Sequence, residues 1–455
     1  MSLRPIQFPM FAPNTEWVIP EGLRDFKGCQ EIAIDLETND PELITAGSGS
    51  VVGKGHIAGI AIAIEGWSGY FPIGHENGGN LDKKLVLGWL QEILDQEYTT
   101  FIFHNAMYDV CWLRAEGLNI KGKIVDTMIA ASLVNENRFK FDLNSLAKEY
   151  VGIGKDESIL RIAAKDFGVD PKAEMWRMPA MYVGEYAERD AEVTLKLWQR
   201  LSIELRNEEL MDVFTLETKL FPCLVDMRFK GVRVDLEHAV KSKKNLIVRE
   251  NKLLKEIKGL VGFDVEISAA RSIAKAFDKL KLPYDRTAKS NEPSFTKNFL
   301  QNHPHALPKA IADAREINKA HSTFIDSITK HSVNGRIHAD INQIRSDQGG
   351  TVTGRFSMSN PNLQQIPARH PEIGPMIRSI FIPEEKTVWG SFDYSQQEPR
   401  ILVHYAKLQN LEGVDEIVNA YNAGDADFHQ VVADMAGIER KQAKTINLGL
   451  MYGMG

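Results

Sequence analysis

The chain has 455 residues, 43% of them hydrophobic, with 54 Lys and Arg against 61 Asp and Glu for a formal net charge of −7. That length allows about two to four domains with cores of their own, and no stretch approaches the ~18 uninterrupted apolar residues of a membrane span. The opening MSLRPIQFPMFAPNTEW lacks the pattern of a secretory signal, and three scattered cysteines (Cys29, Cys111, Cys223) without CxxC spacing read as reduced thiols in the cytoplasm.

The acidic balance does not announce a dedicated nucleic-acid module. A protein that collects carboxylates at metal sites and cations in a groove would cancel the two in its total. Along residues 28–105, EIAIDLET and HIAGIAIAI read as strands, followed by GYFPIG, a helix over LDKKLVLGWLQEIL and a strand over TTFIFHN. Strands mixed with helices in this way predict an α/β layer domain. Residues 107–200 turn helical and close on the periodic EYAERDAEVTLKLWQRLSIEL, and helical spacing continues over roughly 201–330. A Pro- and Gly-rich stretch near 349–375 then precedes a predicted strand, TVWGSFDY, and further helices.

The first domain carries carboxylates at telling positions. Asp35 and Glu37 are two apart in a strand and share a face. Asp109 follows in HNAMYDV, and Tyr186 and Asp190 are four apart on one helix face. Taken singly, Asp-x-Glu is usually a solvated loop start, Asp109 a helix cap, and Tyr186 with Asp190 an exposed helix face. As a set, clustered carboxylates call for neutralising cations, and hard oxygen ligands suit Mg²⁺ or Mn²⁺. Two such ions about 4 Å apart can activate water and stabilise a leaving oxygen in phosphodiester cleavage.

IDLET, HNAMYD and YAERDA resemble the three exonuclease motifs of the DEDD superfamily, and Tyr-x-x-x-Asp resembles the third motif of proofreading 3′–5′ exonucleases. KIVDTMIAASLVN, containing Asp126, and FDLNSLAKEYVG extend the likeness over most of 28–200. The resemblance implies a ribonuclease H-like mixed sheet with helices. It also implies Asp35, Glu37, Asp109 and Asp190 as metal ligands, with Tyr186 orienting the attacking water.

Three further blocks follow. TVTGRFSMSNPNLQQIP (351–367) sets Arg355, Asn362 and Gln364 among turn residues, a loop suited to sequence-independent features of a duplex. FDYSQQEPR places Asp393 at the end of the predicted strand, with Glu398 and Arg400 just beyond. The plainer role for Asp393 is a helix cap. In RKQAKTINLGLMYG, Arg440, Lys444, Asn447, Leu448, Met451 and Tyr452 fall within roughly 140° on a helix. That face could grip a triphosphate at its cationic end and pack a base and sugar further along. An amphipathic helix with a basic first turn would look the same.

In order, these blocks resemble the primer–template motif, motif A and motif B of family A DNA polymerases, the DNA polymerase I type in its phage-like version. FPCLVDMRFKGVRVD is similar to that family's approach to the thumb. The resemblance implies an extension at 1–27, an exonuclease domain at 28–200, and an incomplete α+β polymerase domain at 201–455. Within the last, a thumb would cover about 201–335, part of the palm 336–408, and the start of the fingers 409–455. It further implies Asp393 as a catalytic metal ligand and Glu398 as the residue that excludes a sugar 2′-hydroxyl. His429, Arg440 and Lys444 would lie at the incoming dNTP, Leu448 and Tyr452 near its sugar and base, and Arg355, Asn362, Gln364 and Arg400 on DNA. Single-stranded 3′ ends and a primer–template are the implied partners.

Gln397, Pro399 and Leu448 depart from the family pattern, Leu448 replacing an aromatic. A motif C, the His-Asp-Glu turn that supplies a second aspartate, is not found in the sequence. The expectation is therefore that synthesis needs a second polypeptide carrying the rest of fingers and palm. Two other functions fit the same motifs: a stand-alone 3′–5′ DNA exonuclease with a DNA-holding polymerase region, and a non-catalytic primer–template-binding subunit.

Overall fold

The computed structural model describes residues 14–154, 156–345, 350–368, 370–424 and 427–454; the first 13 residues of the expected extension lie outside them. They form two compact units, 1–383 and 384–455.

The first unit is built on a five-stranded mixed sheet in the order β3-β2-β1-β4-β5. Its strands are β1 (Glu31–Asn39), β2 (His56–Ile64), β3 (Trp67–Pro72), β4 (Thr100–Phe103) and β5 (Lys123–Asp126). β1, β2 and β3 pair antiparallel, whereas β1, β4 and β5 run parallel. The short turn α1 (Leu43–Ala46) follows β1, and α2 (Lys83–Leu94), α3 (Ala106–Ala115), α4 (Thr127–Val134), α5 (Leu143–Tyr150) and α6 (Ser158–Phe167) link or flank the strands. The long helix α7 (Gly184–Asn207) lies across β1, β2 and β3.

The period of two along β1 sorts its side chains between two cores. Ile32, Ile34 and Leu36 pack with Phe71, Phe101, Phe103 and helices α2 and α3 on one face. Ala33 faces α7 in the other core, together with Ala61 and Ala63 of β2. Small residues on that face let α7 come close, and the same alternation puts Asp35 and Glu37 beneath it.

The expected boundary at 200 falls inside α7. The next helix, α8 (Met211–Lys230), inserts Phe221 and Val225 into the core with β1 and α3. It is followed by β6 (Val232–Arg233), α9 (Leu236–Val261), α10 (Ala270–Lys279), a hairpin of β7 (Asp285–Arg286) and β8 (Pro293–Ser294), α11 (Lys297–Asn302) and α12 (Ala306–Lys319). α10 to α12 enclose a separate core around Phe277. A wider π-helical stretch, Ala320–Ile325, joins α12 to α13 (Asp326–His331). Short strands β9 (Ser332–Val333) and β10 (Arg336–Ile337) pair next to β6, while β11 (Asp340–Asn342) pairs with β12 (Ser357–Ser359). α14 (Ile373–Arg378) completes the unit.

The second unit is helical: α15 (Gln397–Leu408), α16 (Val414–Ala423), α17 (Phe428–Ala436) and α18 (Arg440–Met451). Here one expectation fails. TVWGSFDY forms no strand, and residues 387–394 are irregular and exposed, Phe392 by 98%. A strand needs a ladder partner for its backbone groups, and among the described residues of this unit there is no other strand. Its core is thin, centred on Val403, Val414 and Tyr421. Among the described residues, no helix is long and apolar enough to cross a membrane.

Candidate active sites

Asp35 and Glu37 lie opposite Ala61 and Gly59 of β2, partners too small to fill the space above them. Asp109 comes to the same place from the first turn of α3. It does not cap that helix: its Oδ1 accepts the Leu36 backbone N–H of β1 at 3.1 Å. Burial and the Asp35 carboxylate push the Asp109 pKa well above the usual carboxylate range. Tyr186 and Asp190 reach in from α7. Burial first, then the charges of Glu37, Asp190 and Asp35, push the Tyr186 phenol well above its ordinary value. It therefore stays a neutral hydrogen-bond donor. Glu37, Asp109 and Asp190 are each more than nine-tenths buried. The five predicted exonuclease residues thus share one electrostatic environment.

Such buried like charges are unfavourable without a cation. The all-oxygen donor set, and the negative potential felt at Asp109 and Tyr186, suit a hard divalent ion. Among the described residues, no group of three or more His, Cys, Asp or Glu stands close enough together, as arranged here, to hold a metal ion.

Three contributors carried no functional assignment at the level of sequence. Asp126, at the end of β5, accepts backbone N–H bonds from Asn105 (3.0 Å) and Ala106 (2.8 Å) at the start of α3, and from Met128 (2.8 Å) at the start of α4. It pins both helices, and burial pushes its pKa up to about 6 against those donors. Tyr108, next to Asp109, meets Thr38 Oγ1 at 2.6 Å. Tyr70 of β3 is fully buried, and after burial the charges of Glu37 and Asp35 raise its phenol. A Tyr directly before a motif Asp, and an Asp closing a strand before a helix, were the available signals; Tyr70 had none. Beside Tyr108 and Asp126 lies a cavity of about 450 Å³, reaching Phe221 and Arg228 of α8 and Asp340 of β11.

Residues 351–364, around β12, are joined by their own polar groups. Asn362 Oδ1 accepts the Gln364 N–H at 3.1 Å, Gln364 Nε2 donates to the Phe356 carbonyl at 3.0 Å, and the Arg355 carbonyl accepts from Thr351. Asn362 and Gln364 therefore shape this loop through these bonds.

In the second unit the predicted nucleotide residues gather around α17 and α18. His429 is buried, and its Nδ1 meets Asn447 Nδ2 at 3.1 Å. Burial, then Arg440 and Lys444, lower its pKa. Arg440 Nε donates to Asp427 Oδ2 at 2.7 Å, and Tyr452 Oη donates to Glu398 Oε1 at 2.7 Å. Leu448 is half-buried on the same helix, and Lys444 is exposed. Arg400 lies over the Tyr421 ring, 4.6 Å from its centroid. Asp393 neither ends a strand nor caps α15, whose N-cap is Gln396. It sits in the exposed segment before that helix.

Both halves of the chain match known families. Residues 19–206 match the sequence model of the 3′–5′ exonuclease domain, and residues 237–455 match that of DNA polymerase family A. The DNA-directed DNA polymerase of Pseudomonas phage M6 is 37% identical over 477 residues, covering 99% of this chain and 71% of that protein. DNA polymerase DpoZ of Vibrio phage phiVC8 is 31% identical, with 88% and 67% covered. DNA polymerase I of Pseudomonas aeruginosa is 30% identical over 95% of this chain and 47% of its own length. The fold matches the polymerase domain of Pol1 from M. smegmatis, solved with DNA primer–template and dNTP, at a TM-score of 0.70 and 20% identity, over 93% of this chain and 68% of that one. With a sheet-borne carboxylate site in its first half and the polymerase motifs in its second, this chain belongs to the phage-like family A DNA polymerases that carry an N-terminal 3′–5′ exonuclease domain.

Proposed function

We propose that residues 28–200 remove nucleotides from single-stranded DNA 3′ ends, and that residues after 200 hold primer–template and dNTP for template-directed synthesis in the cytoplasm. The electrostatic convergence of Asp35, Glu37, Asp109, Tyr186 and Asp190, with Glu37, Asp109 and Asp190 buried, is the observation that supports the nuclease. The four carboxylates would hold Mg²⁺, or Mn²⁺ in its place. The bound ions would supply Lewis acidity toward the scissile phosphate and the leaving oxygen. Tyr186, kept neutral by burial and hydrogen-bonded to Asp190, would orient the attacking water. Asp126 fixes α3, and so Asp109, against the sheet. The cavity beside Tyr108 would seat an adjoining nucleotide of the strand, with Arg228 at its wall.

For synthesis, Arg440 and Lys444 would bind the triphosphate, and Glu398, held by Tyr452, would face the sugar. Leu448 would pack on the sugar and base. His429 lies with the triphosphate residues, Asp393 would be a metal ligand, and Arg355, Asn362, Gln364 and Arg400 would contact DNA. The exposed apolar surface of 384–455, with Val388, Trp389, Phe392, Ile401, Leu402 and Tyr405, supports the need for further family polypeptide to cover it. Synthesis would then require a segment bearing the family's motif C, joined to this chain or supplied by a second one.

A gel assay tests both parts. With Mg²⁺, the unmutated chain should shorten a single-stranded oligonucleotide from its 3′ end, and Asp35→Ala with Glu37→Ala should not. With those two changes, dNTPs and a primer–template, extension should depend on an added motif C segment. Extension without it would refute the second requirement, and no shortening by the unmutated chain would refute the first.

A further inference from the structure

Tyr186 and Asp190 can serve the exonuclease only if the first turns of α7 lie at one fixed height over β1. Trp17 stands just before the 19–206 stretch that matches the exonuclease domain. Its indole Nε1 donates to Glu188 Oε1 at 2.7 Å, and the same oxygen accepts the Tyr70 backbone N–H of β3 at 3.0 Å. Glu188 lies two residues from both Tyr186 and Asp190 along α7. The Trp17 ring packs on Gly184, the first residue of the helix, where a Cβ would come 2.1 Å from the ring. Only glycine permits that approach.

The same ring lies 6.1 Å from that of Tyr70. Tyr70 is locked in turn: its Oη meets His75 Nε2 at 2.7 Å, and His75 Nδ1 meets the Met178 carbonyl at 2.9 Å. Its phenol lies against Gly59, the β2 partner of Glu37. Thr15 Oγ1 adds a bond to the Met181 carbonyl at 3.3 Å, just ahead of α7. The segment from Thr15 to Trp17 therefore straps the start of α7 to β3, which is separated by β2 from the strand that carries Asp35 and Glu37.

We propose that Trp17 is a positioning residue for the exonuclease reaction, acting through Glu188 to set Tyr186 and Asp190 over Asp35 and Glu37. This rests on the nuclease proposed above. The test measures single-stranded DNA degradation by the full chain with Trp17→Ala, Trp17→Phe, Glu188→Ala and Glu188→Gln. Hydrogen exchange of residues 184–192 is followed in parallel. Trp17→Ala should lower kcat about tenfold with KM unchanged, inside the roughly hundredfold that a misplacement of about 1 Å can cost. Trp17→Phe keeps the ring on Gly184 without the donor and should fall between. Glu188→Gln keeps an acceptor oxygen and should recover most of what Glu188→Ala loses. Exchange over 184–192 should quicken in the same order.

A Trp17→Ala chain that melts earlier but keeps its kcat per folded molecule would reduce the strap to a stabilising contact and overturn the proposal. A raised KM at constant kcat would place Trp17 on the DNA path instead, and would also overturn it. If Trp17→Ala does not fold, Trp17→Phe and Glu188→Gln decide. If the unmutated chain degrades no DNA, the nuclease reading falls; unchanged exchange in Trp17→Phe would then separately refute the hold on α7.

Discussion

The two candidate sites of this chain are built by opposite means. In the first unit a strand and the starts of two helices bring Asp35, Glu37, Asp109, Tyr186 and Asp190 together, with backbone pairing and two cores behind them. In the second unit Arg440 and Lys444 on α18 and Tyr452 at its end lie exposed, and the polar residues His429 and Asn447 are buried with Ala433 and Ala443. A sheet-borne site is complete once its strands have paired, whereas a helix-borne face is finished by whatever covers it. Buried carboxylates are kept at a cost in stability, so they mark the first site by their misfit. The second site carries no such mark.

The contrast can be broken or sharpened by measurement. The largest effect belongs to Asp35→Ala with Glu37→Ala, which should cut single-strand degradation by at least the ~10²–10³-fold that loss of one preorganised group costs. Nucleotide binding by the second unit, measured by titration calorimetry, should be untouched. Next, Leu146→Ala, deep in the first core, should cost about 2–5 kcal/mol of that unit's stability. Val403→Ala removes less from a thinner core and should cost less than about 2 kcal/mol. Equal losses by denaturant titration would undo the comparison.

A smaller effect depends on pH. Burial holds His75 at a pKa of about 4, below its ordinary 6.5. The unfolded chain therefore takes up this proton first as pH falls. Stability present above pH 6.5 is lost as pH drops toward 4, by up to about 3 kcal/mol. His75→Gln should flatten that part of the curve of melting temperature against pH. The mildest change concerns Asp109. Its raised pKa puts the acid limb of nuclease activity above the ordinary carboxylate range. Since cation and proton compete for one carboxylate, a tenfold rise in Mg²⁺ should move the limb down by at most about one pH unit. A limb insensitive to Mg²⁺ would contradict the proposed ligand role.

Much of the first unit was legible because its patterns are local. Alternating β-branched runs announced β1 and β2, and helical spacing announced α7 with Tyr186 and Asp190 on one face. The spacing i, i+2 likewise placed Asp35 and Glu37 together. What stayed hidden depends on long-range packing. Trp17 and Glu188 are 171 residues apart, and α8 contributes Phe221 to a core that began at residue 26. The failed strand over TVWGSFDY makes the same point from the other side. Its composition favours a strand, but propensity cannot supply the neighbour that a ladder needs.

The irregular segment before α15 also has an optical consequence. Of the seven tryptophans in the sequence, six lie in residues 1–383, and Trp389 is the only one beyond. It is 60% exposed, among apolar neighbours that are themselves exposed. Its emission should lie toward the red, as for indole in water, and shift to shorter wavelength when an apolar surface closes over it. Replacing Trp389 with Phe would isolate that signal by difference. The chain thus carries, in an exposed apolar segment, a built-in fluorophore that would report without an added label any surface closing over it.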